Sequence, residues 1–314
     1  MNGLSECFRI AGRPIRVDWE DAGLQALLRP ALAHRRVAPV APELVITVAR
    51  RPPSVRSSEA RGWVMHDDPA GLVIEETEKT LSHHLDLAAG RARFECGEPA
   101  RLSPHERAAP FRLILQRWLR TRGVQLLHAG AVGLPGGSAV LLAAPSGGGK
   151  SNTVLSCLAH SPLHLLGEDF VAVDEATPPR VWSLYGSAKL HAADVARFPV
   201  LAGASEHGRD ETDGKVAFVL AETHAPRWAD ALPVRAILHL KITGDAATRL
   251  APAAPGEAVR ALLTSLLMVL PSARRPLFEF TTQLARKLPA YRLELGRDPR
   301  QIATAIQDFL QSPP

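Results

Sequence analysis

The 314-residue chain is short of several things, and each shortage narrows its reading. It has three cysteines, Cys7, Cys96 and Cys157, spaced too far apart for a metal-ligand motif. Reduced, partly buried thiols are therefore expected. Aromatic residues make up 5% of the chain. No aromatic-rich basic face is visible, so nucleic acid is not an expected partner. No apolar run approaches the roughly 20 residues that span a bilayer. The best stretch, residues 261–270, is too short and reads as a buried helix. The first residues carry charges early and lack the apolar core of a signal peptide. The expectation is a cytoplasmic protein with no membrane partner. Internal repeats and long low-complexity tracts are absent as well.

What is present is ordinary for a folded chain: 46% hydrophobic and 22% charged residues. The length suits two domains, or one with a large extension. The net charge of +5 comes mainly from arginine and favours anionic partners, although no long basic run concentrates it.

Residues 1–108 read as a small α+β domain, with substrate recognition as its expected role. Segments 7–19 and 43–50 have strand character, and the apolar-periodic segment 21–35 is predicted to be a helix between them. Further strands are expected at 71–76 and 91–96. The Pro-, Ser- and Arg-rich segment 50–62 is expected to be an exposed loop. His83, His84 and Asp86 lack a third metal ligand at sensible spacing and read as a surface loop.

Residues 109–314 form the second region. A helix is predicted over 111–121, with Gly123 as its stop. Residues 124–134, the turn residues Pro135, Gly136 and Gly137, and residues 138–144 have the pattern of a β-hairpin. Beyond it lie a helical segment at 152–160 and apolar strand candidates at 163–166 and 170–174. Strands are also predicted at 181–186, 216–220 and 235–243, a turn at 178–180, and helices at 257–270, 276–288 and 299–310.

Residues 144–151 read A-P-S-G-G-G-K-S. This is the phosphate-loop pattern G-x-x-x-x-G-K-[ST], between a strand and a helix, with Ala144 at the first glycine position. Gly147, Gly148 and Gly149 allow backbone N–H groups to surround phosphate oxygens without Cβ clashes. The following helix turns its positive N-terminal end to the same anion. Lys150 is suited to bridge β- and γ-phosphates, and the Ser151 hydroxyl to coordinate Mg²⁺. Ser146 and Asn152 complete the candidate nucleotide-binding set. Beyond the helix, Glu168 and Asp169 stand where a strand begins or ends. Phosphoryl transfer needs one carboxylate on the metal and often another to accept the nucleophile's proton. Neighbours on a strand point to opposite faces, so joint action requires a bend or bulge. His128 is read as lying on the first strand of the hairpin that ends at the loop. Arg249, Arg260, Arg274 and Arg275 are weaker candidates for charge stabilisation.

Together, His128 with Gly130, the loop 144–151, and Glu168 with Asp169 resemble the catalytic domain of the HPr kinase/phosphorylase family in order and spacing. The resemblance implies an α/β P-loop kinase domain with an antiparallel hairpin before the loop, as in phosphoenolpyruvate carboxykinases. Segments 183–199 and 213–220 are similar to HPr-kinase-related proteins found beside peptide-modification genes, lasso-peptide kinases among them. The implied reaction is ATP- and Mg²⁺-dependent phosphorylation of a serine on a peptide or protein, such as a ribosomally made precursor peptide. Either Glu168 or Asp169 would be the base and the other a metal-side ligand, with Ser151 and Asp169 as the first choice for the metal. His128 would orient or neutralise the base. Lys189 would contact phosphate or substrate, and Lys215 is a weaker contact of the same kind. Homo-oligomers are common among such kinases. Glu168 departs from the family's usual aspartate, and the glycine- and arginine-rich signature for phosphorolysis is missing. Phosphorylase activity and HPr itself as substrate are therefore not expected. Rival readings are an NTP hydrolase or nucleotide-gated regulator, a nucleotide-binding scaffold, and phosphotransfer to a small metabolite, since the core motif does not encode the acceptor.

Overall fold

The computed structural model describes residues 4–51, 63–76, 81–210, 213–269 and 274–313. The segment 50–62, expected to be a loop, falls mostly outside them. The described residues form a mixed α/β structure with three sheets.

The N-terminal sheet begins with β1 (Leu4–Ile10) and β2 (Arg13–Trp19). The single strand expected over 7–19 is in fact this hairpin. Ala11 and Gly12, both at positive φ, turn the chain so that Ile10 pairs with Arg13. Helix α1 (Ala22–Leu28) follows, with the Asp21 carboxylate accepting the Leu24 N–H at 2.7 Å. It ends where Pro30 removes a backbone donor, and the chain continues as a 3₁₀ turn over Arg29–Arg35. Then come β3 (Arg36–Val37), β4 (Leu44–Arg50), β5 (Trp63–Asp67), β6 (Gly71–Glu76), β7 (Leu81–Asp86) and β8 (Arg91–Cys96). The sheet order is β3-β1-β2-β4-β8-β7-β6-β5. Alternate residues such as Ile15, Val17, Ile46, Val48 and Phe94 are buried on one face, as the two-residue strand period requires.

His83 and His84 lie on β7, not in a surface loop. The polar run hides a strand whose His83 packs edge-on against Phe94, centroids 5.1 Å apart. Burial, with Arg112 nearby, pushes His83 down to about 3, so it is neutral.

Two helices lead to the second sheet. In α2 (Pro104–Ala108) Ser103 and Glu106 form a reciprocal capping box. Phe111, at a φ of 59°, opens α3 (Arg112–Arg120) and packs against Trp19 and Phe94. One continuous apolar core therefore joins the N-terminal sheet, α3 and the second sheet.

The second half contains β9 (Val124–Leu127), β10 (Gly130–Gly133), β11 (Ala139–Ala143), α4 (Lys150–His160), β12 (His164–Gly167), β13 (Val171–Asp174), β14 (Arg180–Ser183), β15 (Ser187–His191), β16 (Ser205–Arg209) and β17 (Lys215–Val219). It closes with β18 (Ala231–Ile242), β19 (Arg249–Pro252), α5 (Pro255–Val269), α6 (Arg274–Lys287), β20 (Ala290–Leu295) and α7 (Pro299–Gln311). The main sheet runs β12-β10-β11-β18-β14-β13-β9, with β20 beside β18 and β19 beside β20. β11–β18 and β18–β20 pair in parallel, whereas β10–β11 is an antiparallel hairpin. A separate three-stranded sheet, β15-β17-β16, stands by the site.

The expected strand over 124–134 is broken. β9 pairs with β13, whereas β10 pairs with β11 and β12. His128 sits in the break between them, not on the hairpin strand. All three cysteines are free and buried. Among the described residues, no helix is long and apolar enough to cross a membrane.

Candidate active site

Strand β11 is buried along its whole length and hydrogen-bonded on both edges, so it delivers the glycine loop from a rigid base. Gly147 and Gly149 adopt left-handed backbone with φ of 75° and 92°, which favours glycine. Gly148 is required for a different reason. A Cβ there would stand 2.7 Å from the Ala144 Cβ and 3.0 Å from the Pro145 carbonyl oxygen. Helix α4 starts at Lys150, capped by Gly149. It is held against the sheet by Val154, Leu155 and Leu158, and packs with Ile302 and Ile306 of α7 in one apolar cluster. Ser146 and Gly147 are exposed, while Asn152 is half-buried and its carbonyl accepts the Ser156 hydroxyl at 2.6 Å.

Lys150 is buried, and its Nζ donates to the carbonyls of Ala144, at 2.9 Å, and Pro145, at 3.4 Å. Burial lowers its pKa, with Asp169 and Glu168 opposing the shift. Two neutral oxygens thus hold an ammonium inside the loop.

The acidic pair lies in the bend between β12 and β13, so the two carboxylates escape the opposite-face rule of an extended strand. They part company in their contacts. Glu168 is 2% exposed, accepts the Ser151 hydroxyl proton bond on one oxygen, and takes the Lys189 N–H at 3.0 Å on the other. Burial, reinforced by the charge of Asp169, pushes Glu168 up to about 7. Asp169 instead lies 2.6 Å from His128 Nε2 and 2.7 Å from Lys189 Nζ. Burial alone would raise Asp169, but Lys189 and His128 together outweigh it and hold the carboxyl well below the usual range. The His128 ring stacks on Phe170 with centroids 5.1 Å apart, which fixes its orientation. The Ser151 hydroxyl is therefore paired with Glu168, whereas the family resemblance implies Ser151 and Asp169 as the metal pair.

Lys189 enters from β15 and extends the network. Its Nζ also meets His105 Nδ1 at 2.7 Å. His105 Nε2 in turn lies 3.3 Å from Asp213 and 3.6 Å from Asp210. Lys215 pairs with Asp213 at 3.2 Å rather than with the acidic pair. A small cavity beside the pair is lined by Glu168, Asp169, Phe170, Tyr185, Ser187 and Lys189. Of the arginines considered, Arg275 forms an ion pair with Glu279 on its own helix. The sequence reading missed His105, which lies in no motif, and gave no role to Asp213, although it begins segment 213–220; only the fold brings them to Lys189.

No family model matches the chain, and no curated protein matches it either. Among solved structures, the HPr(Ser) kinase/phosphatase from Coxiella burnetii aligns with 59% of this chain and 95% of its own, at 9% identity and a TM-score of 0.32. A likeness this weak fixes neither activity nor detailed fold.

Proposed function

We propose that the chain is an ATP- and Mg²⁺-dependent kinase that phosphorylates a serine hydroxyl on a peptide or protein. The observation that carries this reading is the division of labour in the acidic pair beside the glycine loop. Glu168 meets the Ser151 hydroxyl, while Asp169 is gripped by His128 and Lys189.

The residues fit the nucleotide. The loop's left-handed glycines and the start of α4 make an anion cradle. The Ser151 and Glu168 oxygens are hard donors of the kind magnesium prefers. Glu168 supports the metal in a second way. It is a buried carboxylate, raised to about 7, that a nearby cation would ionise. Bound MgATP would supply the phosphoryl group and neutralise charge as it transfers.

The chain's own groups account for the rest. Gly147, Gly148 and Gly149, with Lys150, bind phosphate oxygens, and Ser151 with Glu168 holds the metal. Asp169 stays ionised and accepts the proton of the acceptor hydroxyl. A loose phosphoryl-transfer transition state asks for positioning more than for a strong base, so a low pKa is acceptable there. His128 and Lys189 hold the Asp169 oxygens in place. The similarity of segments 183–199 and 213–220 to kinases found beside peptide-modification genes makes a ribosomal precursor peptide the acceptor of choice.

The test is incubation with γ-labelled ATP, Mg²⁺ and a panel of serine-containing peptides, alongside Lys150→Ala and Asp169→Asn. Label on a peptide serine, lost in both variants, supports the kinase. Phosphate release that no peptide alters supports the hydrolase, and ATP binding with neither transfer nor release supports the scaffold.

A further inference from the structure

We propose that His105 is a positioning residue for the acidic pair: through Nδ1 it fixes Lys189 against Asp169, while Asp213 fixes its tautomer. The proposal rests on the kinase reading for its catalytic consequence, but not for its geometry.

An ammonium can only donate. At 2.7 Å from Lys189 Nζ, His105 Nδ1 must therefore accept, and the ring proton sits on Nε2. That proton faces Asp213 Oδ2 at 3.3 Å, with Asp210 Oδ2 at 3.6 Å. A second proton of the same ammonium goes to Asp169 Oδ2 at 2.7 Å. The result is a line of contacts from Asp213 through His105 and Lys189 to Asp169, ending at His128. Lys189 has a long stem whose rotamer freedom costs order, and two partners at its tip remove that freedom. His105 is delivered by α2, which its capping box sets in place and whose last residue, Ala108, lines the cavity with Ala109. The helix that holds the lysine is thus the segment between the N-terminal sheet and the glycine-loop half.

Among the described residues, the charged surroundings of His105 come from the strands and loops packed against it and from its own helix. Lys189 stands on β15, Lys215 on β17, and Asp210 and Asp213 between β16 and β17, with Asp169 behind Lys189. On β16, Glu206 and Arg209 pair with each other, and His207 meets the Leu27 carbonyl. Helix α1 carries no charged residue. On its own helix, Glu106 is occupied by the capping box and Arg107 by the Leu102 carbonyl. Burial, then the Lys189 charge, lowers His105 below its ordinary value, with Asp169 and Asp213 opposing. Protonated His105 would turn an N–H toward the ammonium and break the contact, so activity should fall once pH drops far enough to charge this ring.

The experiment combines two readouts. Nitrogen-15 NMR of the histidines, from about pH 4 to 8, reports tautomer and titration without any turnover. The expected result is a neutral Nε2–H ring in the wild-type protein, and a titration displaced upward in Lys189→Met, checked for folding by circular dichroism. Kinetics should show His105→Ala losing about tenfold in kcat with KM for ATP within about twofold, as a displaced positioning group does. His105→Gln, which can both accept from Lys189 and donate to Asp213, should recover most of kcat and lose the acid limb of the pH profile. An Nδ1–H tautomer, or wild-type kcat in His105→Ala, overturns the proposal. Wild-type protein with the Nε2–H tautomer but no phosphotransfer overturns the kinase reading and the catalytic consequence drawn from it, while the geometry stands.

Discussion

The Ser151 hydroxyl and the Glu168 carboxylate, seventeen positions apart, meet at the mouth of the glycine loop. The contact joins the first turn of α4 to the bend between β12 and β13. Its chemistry is costly without a cation, because Glu168 is buried beside a second carboxylate. Function and stability should therefore pull in opposite directions at this position.

The sign follows from linkage. Glu168 is raised from 4.5 to about 7 in the folded protein, so the folded state holds its proton more tightly than the unfolded state. Stability from this group is complete below about pH 4.5 and falls as pH rises toward 7. Glu168→Gln should stabilise the metal-free protein above pH 7 by up to about 3 kcal/mol, and by little at pH 5 or below. Urea unfolding at the two pH values checks this. Equal destabilisation at both would contradict it.

Asp169 has the opposite sign. Its folded pKa is depressed, so its stabilisation is present above the unfolded value of 3.8 and is lost as pH falls through the folded one. Asp169→Asn leaves the Lys189 ammonium without its carboxylate and should cost about 3 kcal/mol at neutral pH, with the deficit shrinking in acid. Its kcat should drop about a thousandfold, within the range for general-base removal, while ATP affinity changes little. Denaturation across pH and steady-state kinetics separate the two effects. A variant as stable and active as wild type would remove Asp169 from the mechanism.

Two glycines of the loop make a matched pair. Gly147 and Gly149 both have positive φ, but a Cβ at 147 meets nothing within 4 Å, whereas at 149 it would stand 2.6 Å from Leu295 Cδ1. Gly147→Ala should carry backbone strain alone, about 1 kcal/mol. Gly149→Ala should cost more and weaken ATP binding at least tenfold through displacement of Lys150, as calorimetry would read. Equal effects at both positions would contradict the packing argument.

Phe111 ties the two halves together through Trp19 and Phe94. Phe111→Ala should cost about 3–5 kcal/mol. Because the apolar core is continuous, unfolding followed by fluorescence and by circular dichroism should still coincide. Transitions that separate would show the halves to be independent.

Much of this architecture is legible in the sequence. The loop at 144–151 announces itself because phosphate chemistry demands glycines, lysine and a hydroxyl at fixed spacing, and helices α3 to α7 follow apolar periodicity. Other features depend on pairing partners that local pattern does not record. The run through His83 looks polar, yet β7 buries that side against Phe94. Residues 124–134 read as one strand, because nothing local shows that β9 and β10 take different partners. Likewise Ala11 and Gly12 conceal a hairpin inside what looks like a single strand. His105 carries no motif and reaches Lys189 only because α2 packs on β15 and β17.

The central claim is that ATP and Mg²⁺ are held between the glycine loop and the acidic pair. Calorimetric titration with ATP, in Mg²⁺ and again in chelator, tests it most directly. The account predicts saturable binding in Mg²⁺, weakened at least a hundredfold by Lys150→Ala, and a magnesium effect that Glu168→Gln removes, consistent with loss of charge-assisted contacts to phosphate and metal. Absence of ATP binding, or binding that Lys150→Ala leaves intact, would contradict it.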